Sequence, residues 1–196
     1  MLYIIVSKLY AKMNFEIKYN GKVSKEFLNL GINDFKSACK FVSRLPYKRN
    51  KNKKDILCIF RDRAGTCSTK HSILRKLALE NNQLEVKLIL GIFKMDKEYA
   101  PKIENTLNEN ELDYIPEAHN YLRIGNEYLD FTRPNSNYSD FQNKLLEEHE
   151  IEFDQINEEK IRIHQTFLKE WIENNLVLDL ESIWKIREKC ISDLQN

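Results

Sequence analysis

Glycine and proline are scarce in this 196-residue chain, at five and four residues. With so little of either, the chain has no glycine-rich phosphate loop, low-complexity tract or internal repeat, and its composition is globular, not disordered. Cysteine is also sparse. Cys39, Cys58, Cys67 and Cys190 form no C-x-x-C pair, and a chain of this length needs no disulfide staples. Free thiols, and hence a reducing, cytoplasmic setting, are expected. Charge of one sign is missing as well: 31 Lys and Arg face 30 Asp and Glu, a net +1. No global field draws the chain to nucleic acid or an anionic membrane. The apolar opening Met1-Leu2-Tyr3-Ile4-Ile5-Val6 stops at Ser7 and Lys8, too short for a signal core or a membrane span. Residues 1–12, ahead of a second methionine at Met13, read as a loosely attached extension.

The chain does contain enough hydrophobic residues, 42%, to build one domain with an added helical part. The alternation of Phe15-Glu16-Ile17-Lys18-Tyr19 before Asn20-Gly21 predicts a hairpin strand. Asn33-Asp34 caps a helix with Phe35, Ala38, Cys39, Val42 and Leu45 on its apolar face, closed by Pro46. A basic loop from Lys48 to Lys54 and a short apolar segment, Asp55 to Phe60, follow. A helix starts near Thr66 or Cys67 and runs to about Asn82, with Ile73, Leu74, Leu77 and Ala78 as its stripe. Leu84 to Met95 predicts a strand, and Glu98 to Asn110 a helix whose start Pro101 confines. Glu117 to Ile124 and Glu127 to Thr132 predict paired strands around Gly125-Asn126. The tail predicts two amphipathic helices, one marked by Ile161, His164, Leu168, Trp171 and Ile172, the other, capped by Asp179, by Leu180, Ile183, Trp184, Arg187, Ile191 and Leu194. The fold class is α+β: a core over 13–140 and a helical C-terminal extension over 141–196 packed on it.

Gly65-Thr66-Cys67 places a thiol at a helix start. There the unpaired backbone N–H groups and the positive end of the helix dipole favour the thiolate, the nucleophilic form. With a two-residue turn at 125–126, paired residues in the hairpin sum to 251. His119 then opposes Thr132 and Tyr121 opposes Asp130, so His119 and Asp130 are diagonal neighbours on one face. Leu122, Ile124, Leu129 and Phe131 share the other, core-facing side. A thiol nucleophile needs a base to carry its proton and a third group to orient that base. Cys67, His119 and Asp130 supply these types in order.

The segments Gly65-Thr66-Cys67, Ala118-His119-Asn120-Tyr121-Leu122 and Tyr128-Leu129-Asp130-Phe131-Thr132 together resemble the transglutaminase-like superfamily of papain-like thiol enzymes, over residues 34–133. The resemblance implies a Cys-bearing helix packed on an antiparallel sheet. It implies Cys67 as nucleophile, His119 as general base and acid, and Asp130 as the orienting carboxylate. The expected function is a thiol-dependent peptidase, amidase or acyltransferase working through a Cys acyl-enzyme. Its substrate would be a protein, peptide or small amide, with no cofactor and no metal. The alternative is a non-catalytic binding module on the same fold. The sequence departs from the family pattern at Asn120, where an aromatic residue is usual, at Glu127 and Tyr128, near which a Trp is common, and at Arg61, where a Gln would complete the oxyanion hole. That leaves the Cys67 N–H as the one oxyanion donor to be read from sequence.

Other polar residues have plainer readings. Cys67 and His71 share a helix face, but two ligands do not make a zinc site, so His71 is expected as a cleft wall or surface residue. His164 falls on an apolar stripe and reads as a satisfied core histidine. His149 lies in an acidic run, and the Lys48–Lys54 loop reads as solvated. Trp171 and Trp184 read as helix-packing residues.

Overall fold

A computed structural model describes residues 14–175 and 179–194, with the side chains of 174 and 175 excepted. The expected N-terminal extension, 1–12, lies outside the described residues. Among the described residues the chain forms seven α-helices and a four-stranded antiparallel sheet. The helices are α1 (Lys22–Asn29), α2 (Phe35–Arg44), α3 (Cys58–Asp62), α4 (Cys67–Glu80), α5 (Glu104–Glu109), α6 (Glu158–Asn175) and α7 (Leu180–Asp193). The strands are β1 (Val86–Asp96), β2 (Tyr114–Ile124), β3 (Glu127–Leu129) and β4 (Leu145–Ile151), in spatial order β3-β2-β1-β4. The α+β class is therefore as expected. None of the described helices is long and apolar enough to cross a membrane, and all four cysteines are buried free thiols.

Parity along the sheet sets its two faces. Val86, Leu88, Leu90, Ile92, Ala118, Leu122 and Ile124 join α1, α2 and α4 in one apolar cluster. Ile89, Phe93, Met95, Ile115 and Tyr121 join α5, α6 and α7 in a second. The hairpin face that carries His119 and Tyr121 is thus covered, not open. Its register follows the 251 rule where the ladder persists, with Ile124 opposite Glu127 and Leu122 opposite Leu129. Gly125, at φ +59°, makes the turn, a backbone region that favours glycine.

Three elements differ from expectation. Phe15 to Tyr19 is not a hairpin strand; Glu16 makes only an isolated bridge to Asp34. Gly21 instead caps α1, because the Glu80 carboxylate from the end of α4 accepts from the Ser24 N–H at 2.8 Å and the Val23 N–H at 3.4 Å. A Cβ on Gly21 would lie 2.1 Å from that carboxyl carbon. Glu98 to Asn110 is shorter than one helix: a 3-10 turn over Pro101–Ile103 leads into α5. The C-terminal part is not helical throughout, since β4 pairs with β1 along the sheet edge. His149 lies on β4 and pairs with Glu147 at 2.6 Å.

Helix α4 is enclosed on nearly every side, and its polar side chains are buried with it. Each has a partner. Lys70 Nζ donates to the carbonyls of Leu45 at 2.6 Å and Thr132 at 2.7 Å. Ser72 Oγ donates to Phe153 O at 2.6 Å. Arg75 donates to Val86 O at 2.7 Å and pairs with Glu152 at 3.0 Å. Burial pushes the Lys70 ammonium down to about 8.

Lys70→Met keeps the aliphatic stem but strands two buried carbonyls. Urea unfolding at pH 7 should show a loss of about 2 kcal/mol; an unchanged midpoint would mean that water satisfies both carbonyls.

Candidate active site

The nucleophile candidate is placed by a backbone clamp. Gly65 N–H donates to Pro46 O at 3.0 Å, and Lys48 N–H donates to Gly65 O at 3.2 Å. A Cβ on Gly65 would meet Thr69 Oγ1 at 2.9 Å and Lys70 Cγ at 3.1 Å, so the chain can approach α4 this closely only without a side chain. Thr66 is the N-cap, and its N–H donates to Thr69 Oγ1 at 3.0 Å. Cys67 is then the first helical residue, where its own N–H has no intrahelical acceptor.

His119 stands on β2 opposite Gly91. Its Nε2–H donates to Asp130 Oδ2 at 3.0 Å, which leaves Nδ1 for Cys67. Asp130 Oδ1 accepts the Thr132 N–H at 2.8 Å. Around the imidazole stand Phe141, Phe93 and Tyr121, with ring centroids at 5.0, 6.1 and 6.1 Å. The structure thus brings Cys67, His119 and Asp130 into one buried cluster. Although the β3 ladder ends at Leu129, His119 and Asp130 meet as the register expected.

Burial alone would raise the Cys67 thiol. The Lys160 ammonium, the His119 ring and the Asn120 backbone N–H overcome it and bring the thiol down to about 6. Burial would lower His119, but the Asp130 and Cys67 charges drive it up to about 10. Asp130, despite its burial, is held well below the usual carboxylate range by His119 first and then by His71 and Thr132. The two shifts run in opposite directions, which favours a thiolate–imidazolium pair near neutrality.

Of two further residues around this cluster, one had another reading from sequence and the other had none. His71 is fully buried, not a surface residue. Its Nδ1–H donates to Cys67 O at 2.8 Å, and its Nε2 accepts the Phe131 N–H at 2.7 Å. Both nitrogens are used, so the ring is neutral, and burial pushes it down to about 4. His71 ties the first turn of α4 to the backbone beside Asp130. Lys160 comes from the start of α6, about 90 residues downstream of Cys67. Its Nζ donates to Ser68 Oγ at 2.8 Å and Asn120 Oδ1 at 2.9 Å. Asn120 in turn donates to Ile89 O at 3.1 Å. The spacing Cys67-x-x-x-His71 was a usable signal for the first; nothing in the α6 pattern marks the second.

Cys67 sits where two cavities meet, of about 640 and 740 Å³. Tyr47, Glu117 and Ile191 border both. The first runs past Phe93, Tyr99 and Pro101; the second runs along the 49–54 loop between α4 and the C-terminal helices. On the wall between them, Arg187 from α7 grips buried Glu117 with two bonds of 2.6 and 2.5 Å. That contact takes Glu117, against its burial, down to about 2. The C-terminal helices are therefore cleft walls. His164, as expected, is a satisfied core histidine, donating from Nε2 to Pro116 O at 2.8 Å. Among the described residues, no group of three or more potential ligands could hold a metal ion.

No protein-family model, curated protein or solved structure matches the chain.

The two histidine shifts can be read by NMR titration of the ring protons. His119 should stay protonated through pH 8, and His71 should titrate near pH 4, well below the ordinary value. In Cys67→Ala the His119 midpoint should fall, since the thiolate is one of the charges that raise it. An unshifted His119 in both proteins would contradict the ion pair.

Proposed function

We propose that this chain is a thiol enzyme that cleaves or transfers an amide-linked acyl group, on a transglutaminase-like core. The observation that carries the reading is the buried Cys67, His119 and Asp130 cluster, in which the thiol is taken down to about 6 and the imidazole up to about 10. Structural cysteines have no need of it. Cys39, the counterexample in the same chain, is pushed up by burial and by nearby Asp34. Activated thiols need both a cationic neighbour and an adjacent base.

The chemistry follows from the atoms present. The Cys67 thiolate attacks the amide carbonyl carbon, and the C–S bond forms as the carbonyl electron pair moves to oxygen. The Cys67 N–H points at that oxygen from the helix start. Lys160 lies beside it, with two of its three protons engaged by Ser68 and Asn120 and one left to donate. The oxyanion collapses, the C–N bond breaks, and the His119 imidazolium gives its proton to the departing amine. His119, now neutral and oriented by Asp130, takes a proton from water or from an acceptor amine. That nucleophile attacks the thioester and releases Cys67 as thiolate, with His119 again protonated.

Lys160 bears on one departure from the resembling family. Asn120 occupies the position where an aromatic residue is usual, and here it anchors the Lys160 ammonium. A cation carried in by α6 does the work of the missing Gln, and also lowers the thiol.

The test is the pH dependence of Cys67 alkylation by iodoacetamide. The rate should rise through a midpoint near pH 6 and stay level to about pH 9. A midpoint near the ordinary ~8.5 would leave the cleft as a recognition site without a nucleophile. In Lys160→Met the midpoint should move up toward that ordinary value, because the largest favourable charge is gone. Catalytic turnover of any substrate found should fall about 100-fold or more, the scale for losing one oxyanion donor.

A further inference from the structure

The two arms of the cleft differ in charge. The first has Lys102 and Arg133 against Glu98, Asp140 and the shared Glu117. The second is lined by six cations, Arg49, Lys51, Lys53, Lys54, Lys160 and Arg187, and by three carboxylates, Glu117, Glu158 and Glu188. Every one of those carboxylates is engaged. Glu117 is gripped by Arg187, Glu188 is shared by Arg49 at 2.7 Å and Arg187 at 2.5 Å, and Glu158 pairs with Lys54 at 3.0 Å. Lys160 donates to two neutral oxygens and faces the Cys67 thiolate, and Lys53 has no carboxylate partner among the described residues. This stands out in a chain whose total charge is only +1.

The surplus converges on one place. The Lys53 ammonium is lowered by burial and then by three cations, Lys160, Arg49 and Arg187, against a single opposing carboxylate, Glu188. Lys53, on the basic loop, lines this arm together with Lys160 and Arg187. A carboxylate placed between them would relieve this repulsion. Lys160 also faces Cys67, so such a carboxylate lies one residue's reach from the reacting sulfur.

Building on the thiol-enzyme reading, we infer that the second arm is an anion subsite, and that the preferred acyl substrates are peptides or small amides with an acidic side chain beside the scissile bond, held by Lys53, with the Lys160 and Arg187 charges adding to the field. The first arm, which has no such excess of cations and whose walls include Phe93, Tyr99 and Pro101, takes the less polar side of the substrate.

Two alkylating reagents that differ in one group test this: bromoacetyl-aspartic acid α-amide and bromoacetyl-asparagine α-amide. Second-order rates of Cys67 modification are read by intact mass at pH 7.5 and low ionic strength. The aspartyl reagent should react about fivefold faster, the scale of one exposed ion pair. Added salt should erode the advantage. Lys53→Gln should bring the two rates together; Lys102→Gln, in the other arm, should leave the aspartyl advantage intact. Equal rates in the wild type, or an advantage that survives Lys53→Gln or vanishes in Lys102→Gln, would overturn the subsite. The asparaginyl reagent reports the thiol independently: a normal low-pH midpoint with no aspartyl preference removes only the subsite, whereas an ordinary thiol midpoint removes the enzyme reading as well.

Discussion

Everything in this structure turns on enclosing a polar helix. Helix α4 carries Lys70, His71, Ser72 and Arg75 into the interior, where an unpaired polar group is costly. Each is matched to a carbonyl, a backbone N–H or a carboxylate on a segment distant in sequence. These bonds fix the helix relative to the 45–48 strip, the 130–132 strip, β1 and the 152–153 turn. They do what apolar contacts, being non-directional, cannot: they set the rotation and height of α4. The position of Cys67 at its first turn follows.

The same requirement explains why the candidate site tolerates so much buried charge. Asp130 is held by His119 and the Thr132 N–H, and the carbonyl of Thr132 is held by Lys70. Glu117 is held by Arg187. The ion pairs are desolvated, so screening is weak and the charges shift one another strongly. The aromatic rings around His119 exclude water from one side, while the cleft opens Cys67 to the other. An activated thiol needs both conditions: a dry, charged surrounding and an open path for substrate.

Much of the scaffold could be read from pattern because its signals are local. Asp34 caps α2 by accepting from the Ser37 N–H, and Cys67 begins α4. The Gly125 turn sets a register that brings His119 to Asp130. Where reading failed, a distant partner had taken over. Asn20-Gly21 looks like a hairpin turn, but the Glu80 carboxylate makes Gly21 a helix cap. The run Leu145–Ile151 looks like part of a helical tail, but an open edge of β1 recruits it as a strand. Lys160 stands four residues before His164, and Arg187 four residues from both Ile183 and Ile191, so both lie on the inward faces of their helices; periodicity gives that face but not the distant partner each cation meets there.

The sequence by itself determined the α+β class, the helix start that presents Cys67, and the pairing of His119 with Asp130, because capping, turn chemistry and strand alternation act over a few residues. Only the tertiary structure decided what surrounds that trio. The docking of α6 and α7 brings Lys160 to the thiol and Arg187 to Glu117, and the burial of His71 locks Cys67 to the strip beside Asp130. Those contacts join segments as much as 90 residues apart, and charge interactions at such separations depend on packing in space, which no local pattern encodes.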